Sequence, residues 1–195
     1  MAKIAIGCDP NASELKAVIM LHVHNLGHEA EDYGSDDPIY ANTAIRVAEA
    51  VAAGRQHRGI LICGTGIGMS IAANKVNGAY AALVADPYSA ERARKSNNAN
   101  IMCLGAQTMG EEVAKYLVTI WLSSEYSPGG RSEPKIQRIY SYERNHAIDQ
   151  LSGPFLISRT PGYTAIETKT SGRSCFNAGG AVAWPQVGSV AQVLG

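Results

Sequence analysis

A cysteine that ends a short apolar run, with glycine at every second position after it, can support chemistry. Ile60-Leu61-Ile62-Cys63-Gly64-Thr65-Gly66-Ile67-Gly68-Met69-Ser70 has this form. The run 60–62 reads as a buried parallel strand, and residues 69–75 read as the start of a helix. This order puts one thiol at the carboxyl end of a strand, in a loop whose amides can point at an anion. Such a site suits chemistry on a small polar molecule. The structural alternative is a tight strand-to-helix connection with an inert buried cysteine. Gly64, Gly66 and Gly68 do not make G-x-G-x-x-G, and no G-K-[ST] follows. NAD and ATP are therefore weakly supported as ligands.

The elements that must position this loop alternate between strand and helix. Strands are expected at 3–8, 29–33, 59–63, 79–85 and 101–104. Helices are expected at 13–25, 39–53, 67–75, 87–94 and 111–122. Leu15, Val18, Ile19 and residues 21–23 supply a core face for the first helix, and Pro87 stands where a helix would begin. Five strands separated by helices imply right-handed crossovers and one parallel sheet covered on both faces. The fold class is α/β: a Rossmann-like three-layer α/β/α sandwich with a five-stranded parallel sheet. In such sheets the site lies beyond the carboxyl ends of the strands. Asp9, Cys63 to Gly68, Asp86 and the Asn97-Asn98-Ala99-Asn100 group are read together as residues at those ends. Asp9 has an alternative role as a helix or turn cap, and the asparagines have one in turn chemistry.

The whole chain narrows the class further. Its 195 residues make one ordinary domain, or one domain and a tail. The 17 basic and 17 acidic residues cancel, which argues against nucleic acid as the partner. No apolar run is long enough to span a bilayer, and the first residues lack the pattern of a signal peptide. Cys8, Cys63, Cys103 and Cys175 show no C-x-x-C spacing, so no metal site is expected. Reduced thiols and a cytoplasmic location fit this usage better than a disulfide framework.

Past Ser127 the composition changes. Residues 128–131 read as a turn, and 134–144 as a polar helix carrying Lys135, Arg138 and Arg144. That helix is expected to be too polar to close its own domain's core, and therefore to pack, with or without the tail behind it, on a second copy. The core domain is placed at 1–144. Residues 145–195, rich in Ser, Thr and Gly and without a sustained period, are expected to form an irregular C-terminal extension. Cys175 and Trp184 in that tail have no assigned role.

These residues together resemble the ribose-5-phosphate isomerase B family, which includes the galactose-6-phosphate isomerase subunits. The carriers are Ile6-Gly7-Cys8-Asp9, Pro38-Ile39-Tyr40-Ala41, Ile62 to Gly68, Ala72-Ala73-Asn74-Lys75, Asn97 and Gly129-Gly130-Arg131. The resemblance covers roughly residues 2–144.

It implies a cofactor-free interconversion of aldose and ketose phosphates through a cis-enediolate. One base moves a proton between C2 and C1, while preorganised donors hold the developing oxyanion. By resemblance Cys63 is that base, acting as a thiolate, and Thr65 assists at a sugar hydroxyl. Gly64, Gly66, Gly68 and Asn97 hold the enediolate. Asp9 and Tyr40 bind hydroxyls, and Arg131 and Lys135 bind phosphate. For Tyr40 a packing role is the alternative. Lysine at the second phosphate position keeps the charge but loses arginine's bidentate fork. The family also implies a homodimer or homotetramer whose pocket is completed by a neighbouring subunit.

Two positions depart from the ribose-specific members. Pro10 stands where they carry a substrate-binding histidine, and Ser96 where they carry a ring-opening histidine. Serine has no pKa near neutrality and is a poor substitute proton carrier. A tetrose 4-phosphate cannot close a furanose, because its O4 is esterified, and so it needs no ring opening. Both a tetrulose 4-phosphate such as erythrulose 4-phosphate and ribose 5-phosphate remain open as substrates. A non-catalytic sugar-phosphate-binding module on the same sheet is the alternative to an enzyme.

Overall fold

The computed structural model describes residues 1–152, with side chains through residue 146. Five strands form one fully parallel sheet: β1 (Lys3–Cys8), β2 (Glu29–Asp32), β3 (Arg58–Cys63), β4 (Ala81–Leu83) and β5 (Ile101–Gly105), in the order β2-β1-β3-β5-β4. The helices are α1 (Ser13–Asn25), α2 (Tyr40–Ala52), α3 (Ile67–Ala73), α4 (Pro87–Lys95), α5 (Glu111–Ser123) and α6 (Glu133–Ser152). A single 3₁₀ turn, Pro10–Ala12, links β1 to α1. The expected three-layer sandwich is therefore the observed fold, with β4 shorter than its apolar run suggested.

The alternation of side chains along a strand sorts the core into two halves. Ile4, Ile6, Ile60, Ile62, Met102 and Leu104 face α1, α4 and α5. Ala5, Leu61, Cys63, Ile101 and Cys103 face α2 and α3. β1, β3 and β5 are buried on both sides, which is why they read as continuous apolar runs rather than alternating ones. The α1 core face is Leu15, Lys16, Ile19 and Val23. Leu21, expected on it, is 62% exposed, because it lies two positions from both Ile19 and Val23 and so points away from the sheet.

Arg58, the first residue of β3, is buried among apolar neighbours. Its guanidinium donates to the carbonyls of Trp121, Leu122 and Ser124 at 3.0–3.2 Å, so a cation sits on the negative end of α5 and satisfies its last carbonyls. Glu125 completes the arrangement by pairing with both Arg58 and the equally buried Arg94. A buried arginine with a full set of acceptors is a stable part of a core. The same group with its partners removed is a liability of several kcal/mol.

α6 departs from expectation in two ways. It is docked on its own domain, by polar and aromatic contacts and one buried isoleucine. The Glu143 carboxylate accepts from the Gly78 N–H at 2.8 Å and from the Tyr80 hydroxyl at 2.6 Å. The Tyr140 ring lies 5.0 Å from that of Tyr80, and Ile136 is buried. Counting apolar residues underestimated this helix because tyrosines and a carboxylate do the docking. The helix also continues through residue 144 to Ser152, and the compact unit spans Met1–Gly153. No proline or glycine interrupts the sequence until Gly153-Pro154. The expected extension beyond it, with Cys175 and Trp184, lies outside the described residues. Among the described residues no helix is long and apolar enough to cross a membrane.

Candidate active site

β1 and β3 are neighbours, with Cys8 opposite Ile62. The chain leaving β1 is tied to β3 by the Asp9 N–H, which donates to the Ile62 carbonyl at 3.0 Å. Asp9 and Cys63, 54 positions apart in sequence, therefore emerge side by side. Asp9 is largely buried and accepts from the Asn11 N–H at 2.9 Å, capping the 3₁₀ turn that Pro10 opens. Both the capping role and a place beside the cysteine are thus realised in one residue. Pro10 costs nothing here, since the first position of such a turn has no partner for an N–H.

Cys63 is the last residue of β3 and is 5% exposed. Its sulfur accepts the Gly66 N–H at 3.0 Å. That amide reaches the sulfur because Gly66 turns the chain back at φ +78°. A side chain at 66 would meet both Leu83 Cδ1 at 2.6 Å and the Leu104 backbone at 3.0 Å. Only glycine meets the backbone and the steric demand together. Gly68 is required for a different reason. A Cβ there would lie 2.5 Å from the Tyr40 ring, so the missing side chain lets Tyr40, at the start of α2, lean over the first turn of α3. Thr65 is exposed at the loop tip, and its hydroxyl faces the Ile67 N–H at 3.4 Å.

The loop after β5 completes this end of the sheet. The Ala106 N–H donates to the Cys63 carbonyl at 2.8 Å, and the Gln107 N–H to the Gly64 carbonyl at 2.9 Å. The Gln107 side-chain amide covers Gly64, where a Cβ would be 3.2 Å from Oε1. Sequence reading missed Gln107. Its signal was position alone: it is the second residue beyond the carboxyl end of β5, in the register that pairs Cys63 with Gly105.

The three buried cysteines differ in their surroundings. Burial, against a smaller opposing pull from Lys16, pushes the Cys8 thiol up to about 11. Burial pushes the Cys103 thiol higher still, with a further contribution from Cys63. Cys8 and Cys63 both end their strands, and of the three only Cys63 has a loop amide on its sulfur among the described residues.

Asn97, Arg131 and Lys135 do not join this group. Asn97 follows α4 and precedes β5, so it lies at the amino end of the sheet, with Asn98 to Asn100. The expectation that these asparagines stand at the carboxyl ends is corrected by elementary topology: a residue just before a parallel strand is at its amino end. Gly105, opposite Cys63, is four residues along β5 from Ile101, about 13 Å at the usual strand rise, and Asn97 precedes Ile101 in the chain. Asp86, at the carboxyl end of β4, is spent on capping α4 through the Ser89 N–H at 2.8 Å.

Arg131 and Lys135 line a cavity of about 490 Å³ together with Tyr88, Arg92, Lys95, Ser96, Tyr126 and Glu133. The Glu133 carboxyl is held below its usual range by donors from Tyr126 and Gln137. The same bond to Glu133 pushes the Tyr126 hydroxyl up to about 12. A ring of cations around a polar cavity is suited to an anion such as a phosphate. Asn98 adjoins this face at φ +51°. It accepts from Arg94 at 3.1 Å and donates to the Tyr140 hydroxyl at 2.9 Å, which ties the Asn97 loop to the helix that carries Lys135.

Residues 4–139 match the family model described as Ribose/Galactose Isomerase. A protein of Pectobacterium atrosepticum named D-erythrulose-4-phosphate isomerase is 48% identical over 147 residues, covering 73% of this chain and 96% of that protein. A Listeria innocua protein named Ribose-5-P isomerase B is 48% identical over 137 residues, covering 69% and 92%. The solved structure of Trypanosoma brucei type B ribose 5-phosphate isomerase superimposes with a TM-score of 0.70 at 38% identity, covering 73% of this chain and 99% of that one.

Proposed function

The chain belongs to the ribose/galactose isomerase family, and on that premise we propose that it interconverts an aldose phosphate and a ketose phosphate through a cis-enediolate, with Cys63 as the base. The carrying observation is the Cys63 sulfur at the mouth of β3 with the Gly66 N–H aimed at it. An N–H donates more strongly to an anion than to a neutral acceptor, so the loop suits a thiolate. The thiolate takes the proton from C2 of the aldose and returns it to C1. The loop amides at Gly64 and Gly68 hold the oxygen on which charge develops, with the Thr65 hydroxyl beside them. Asp9 and Tyr40 bind hydroxyls. No cofactor enters this scheme.

The site is completed by a second copy of the chain. Asn97, Arg131 and Lys135 lie away from their own Cys63, and a sugar phosphate needs all of them in one place. Next to the glycine loop are Ile67, Ile71 and Leu83, each 43–58% exposed, a grouping suited to burial against a partner. The α4–α6 face of the second copy would then bring Asn97, Arg131 and Lys135 to Cys63, as homodimer or homotetramer.

The preferred substrate in this reading is a tetrulose 4-phosphate such as erythrulose 4-phosphate, converted to erythrose 4-phosphate. Ser96 and Pro10 leave no histidine at the positions of ring opening and substrate binding, and a four-carbon 4-phosphate has no furanose to open. The Pectobacterium relative is named for that substrate. Ribose 5-phosphate is the second reading, supported by the name of the Listeria relative.

Side-by-side assays of both sugars test the substrate, and solvent-proton exchange at C2 tests the chemistry. We expect turnover of the four-carbon sugar with exchange. Strong turnover of ribose 5-phosphate alone would end the tetrose reading. Sugar phosphate binding without any exchange would make the protein a binding module instead.

A further inference from the structure

Arg92 lines the cavity that holds Arg131 and Lys135, and it also lines a neighbouring cavity of about 400 Å³ that holds Asn97. No other described residue lines both. Its guanidinium is half-occupied. One terminal nitrogen donates to the Ser96 hydroxyl at 3.3 Å, and the other pairs with Glu91 at 2.8 Å. Its Nε is buried and has no partner among the described residues. A buried N–H without an acceptor is costly, but this Nε is closed to solvent, so an anion in either cavity would meet the terminal nitrogens of a side chain that is 37% exposed. The guanidinium lies over the Tyr88 ring, its Cζ 5.8 Å from the ring centroid.

The charge balance agrees. Arg92, Lys95, Arg131 and Lys135 are set against Glu133, which is held by Tyr126 and Gln137, and Glu91, which is shared by Arg92 and Lys95. The excess of positive charge matches a phosphate monoester, which carries nearly two negative charges near neutral pH.

We propose that Arg92 is a third cationic ligand of the substrate phosphate, reaching it from the Asn97 side and so favouring a short sugar. This rests on the reading of Asn97, Arg131 and Lys135 as substrate ligands. A phosphate drawn toward Arg92 sits closer to Asn97 than one held by Arg131 and Lys135 alone. Fewer carbons then fit between the phosphate and the reacting end.

Calorimetric titration with inorganic phosphate of the wild type, Arg92→Leu and Arg92→Lys tests the ligand directly. KM and kcat for the four- and five-carbon substrates test the selection. Loss of a charged hydrogen-bonding partner should weaken phosphate binding in Arg92→Leu by roughly tenfold or more. It should raise KM for the four-carbon sugar by a similar factor with less change in kcat, and penalise the five-carbon sugar less. Arg92→Lys should recover part of the affinity. Phosphate affinity and KM within twofold of wild type in Arg92→Leu would overturn the assignment. If the leucine variant does not fold, Arg92→Gln carries the same comparison. The titration needs no turnover. A wild type that isomerises neither sugar defeats the functional reading, while the titration still decides Arg92.

Discussion

Around Cys63 the polar groups are mostly backbone: strand-end carbonyls and loop amides that glycine lets approach the sulfur. Around Arg131 they are side chains near the ends of α4 and α6, among them Arg92, Lys95 and Lys135, with Glu91 and Glu133 as counter-charges. The first region is fixed by the sheet, whose register cannot slip without moving a whole buried strand. The second is fixed by charge pairing and a few aromatic contacts, which are weaker individually and more tolerant of change. The difference suggests a division of labour. In the proposed scheme the backbone-built end would hold the groups that every isomerisation needs, and the side-chain-built face would adjust to the length and charge of the substrate.

The sharpest way to break this contrast is to disable each region in a separate chain. Cys63→Ala should lower turnover by about 10²–10⁴-fold, the usual contribution of a positioned base, with phosphate binding preserved. Arg131→Ala should raise KM strongly. If the two regions meet across copies, co-refolding the two variants should, at substrate well below the Arg131→Ala KM, restore activity toward about a quarter of the wild-type value, since half of randomly formed dimers are mixed and each carries one intact site. No recovery on mixing would place both regions of a working site in one chain.

Next in size is Gly66→Ala. A non-glycine residue at φ +78° carries strain of about 1–3 kcal/mol, and its Cβ collides with Leu83 and the Leu104 backbone. We expect a clear fall in the denaturation midpoint and loss of most activity. Wild-type stability and activity would remove the loop from the argument.

A smaller effect separates the cysteines. Burial raises the Cys8 and Cys103 thiols above an ordinary cysteine and closes them to solvent, whereas Cys63 keeps 5% exposure, so at pH 7–8 iodoacetamide should modify Cys63 first among the three. The rates at Cys8 and Cys103 should rise only as the pH climbs toward their elevated pKa values, read by peptide mass. Equal labelling of all three would dissolve the distinction.

The smallest effect is expected from Glu125→Gln. Arg58 and Arg94 keep their carbonyl acceptors but lose a shared, mostly exposed carboxylate, so stability should fall by only about 1 kcal/mol. KM should rise a few-fold, because Arg94 carries the Asn98 contact. A KM unchanged beside a lower melting point would confine Glu125 to the fold.

Much of this was open to a reader of the chain. The element order, the parallel sheet and the pairing of Asp9 with Cys63 follow from apolar runs and turn residues. For Arg58, Glu143 and Gln107 the cause of the miss is tertiary. Arg58 and Glu143 are charged residues made into core and docking groups by partners more than 60 positions away. Gln107 has no motif and matters only because β5 lies beside β3. The Asn97 group was assigned to the wrong end of the sheet because it was grouped with residues that follow strands, although it precedes one.

The sequence by itself determined the local chemistry: a thiol where an apolar run stops, glycines where the backbone must turn back, and basic residues beyond the last core helix. These follow from short-range sterics and from hydrophobic period, which act over a few residues. Only the tertiary structure decided that the thiol and the basic cavity stand apart, and that Arg92 reaches both the Asn97 cavity and the Arg131 cavity. Such distances depend on how strands are ordered and helices packed, and no stretch of neighbouring residues contains that information.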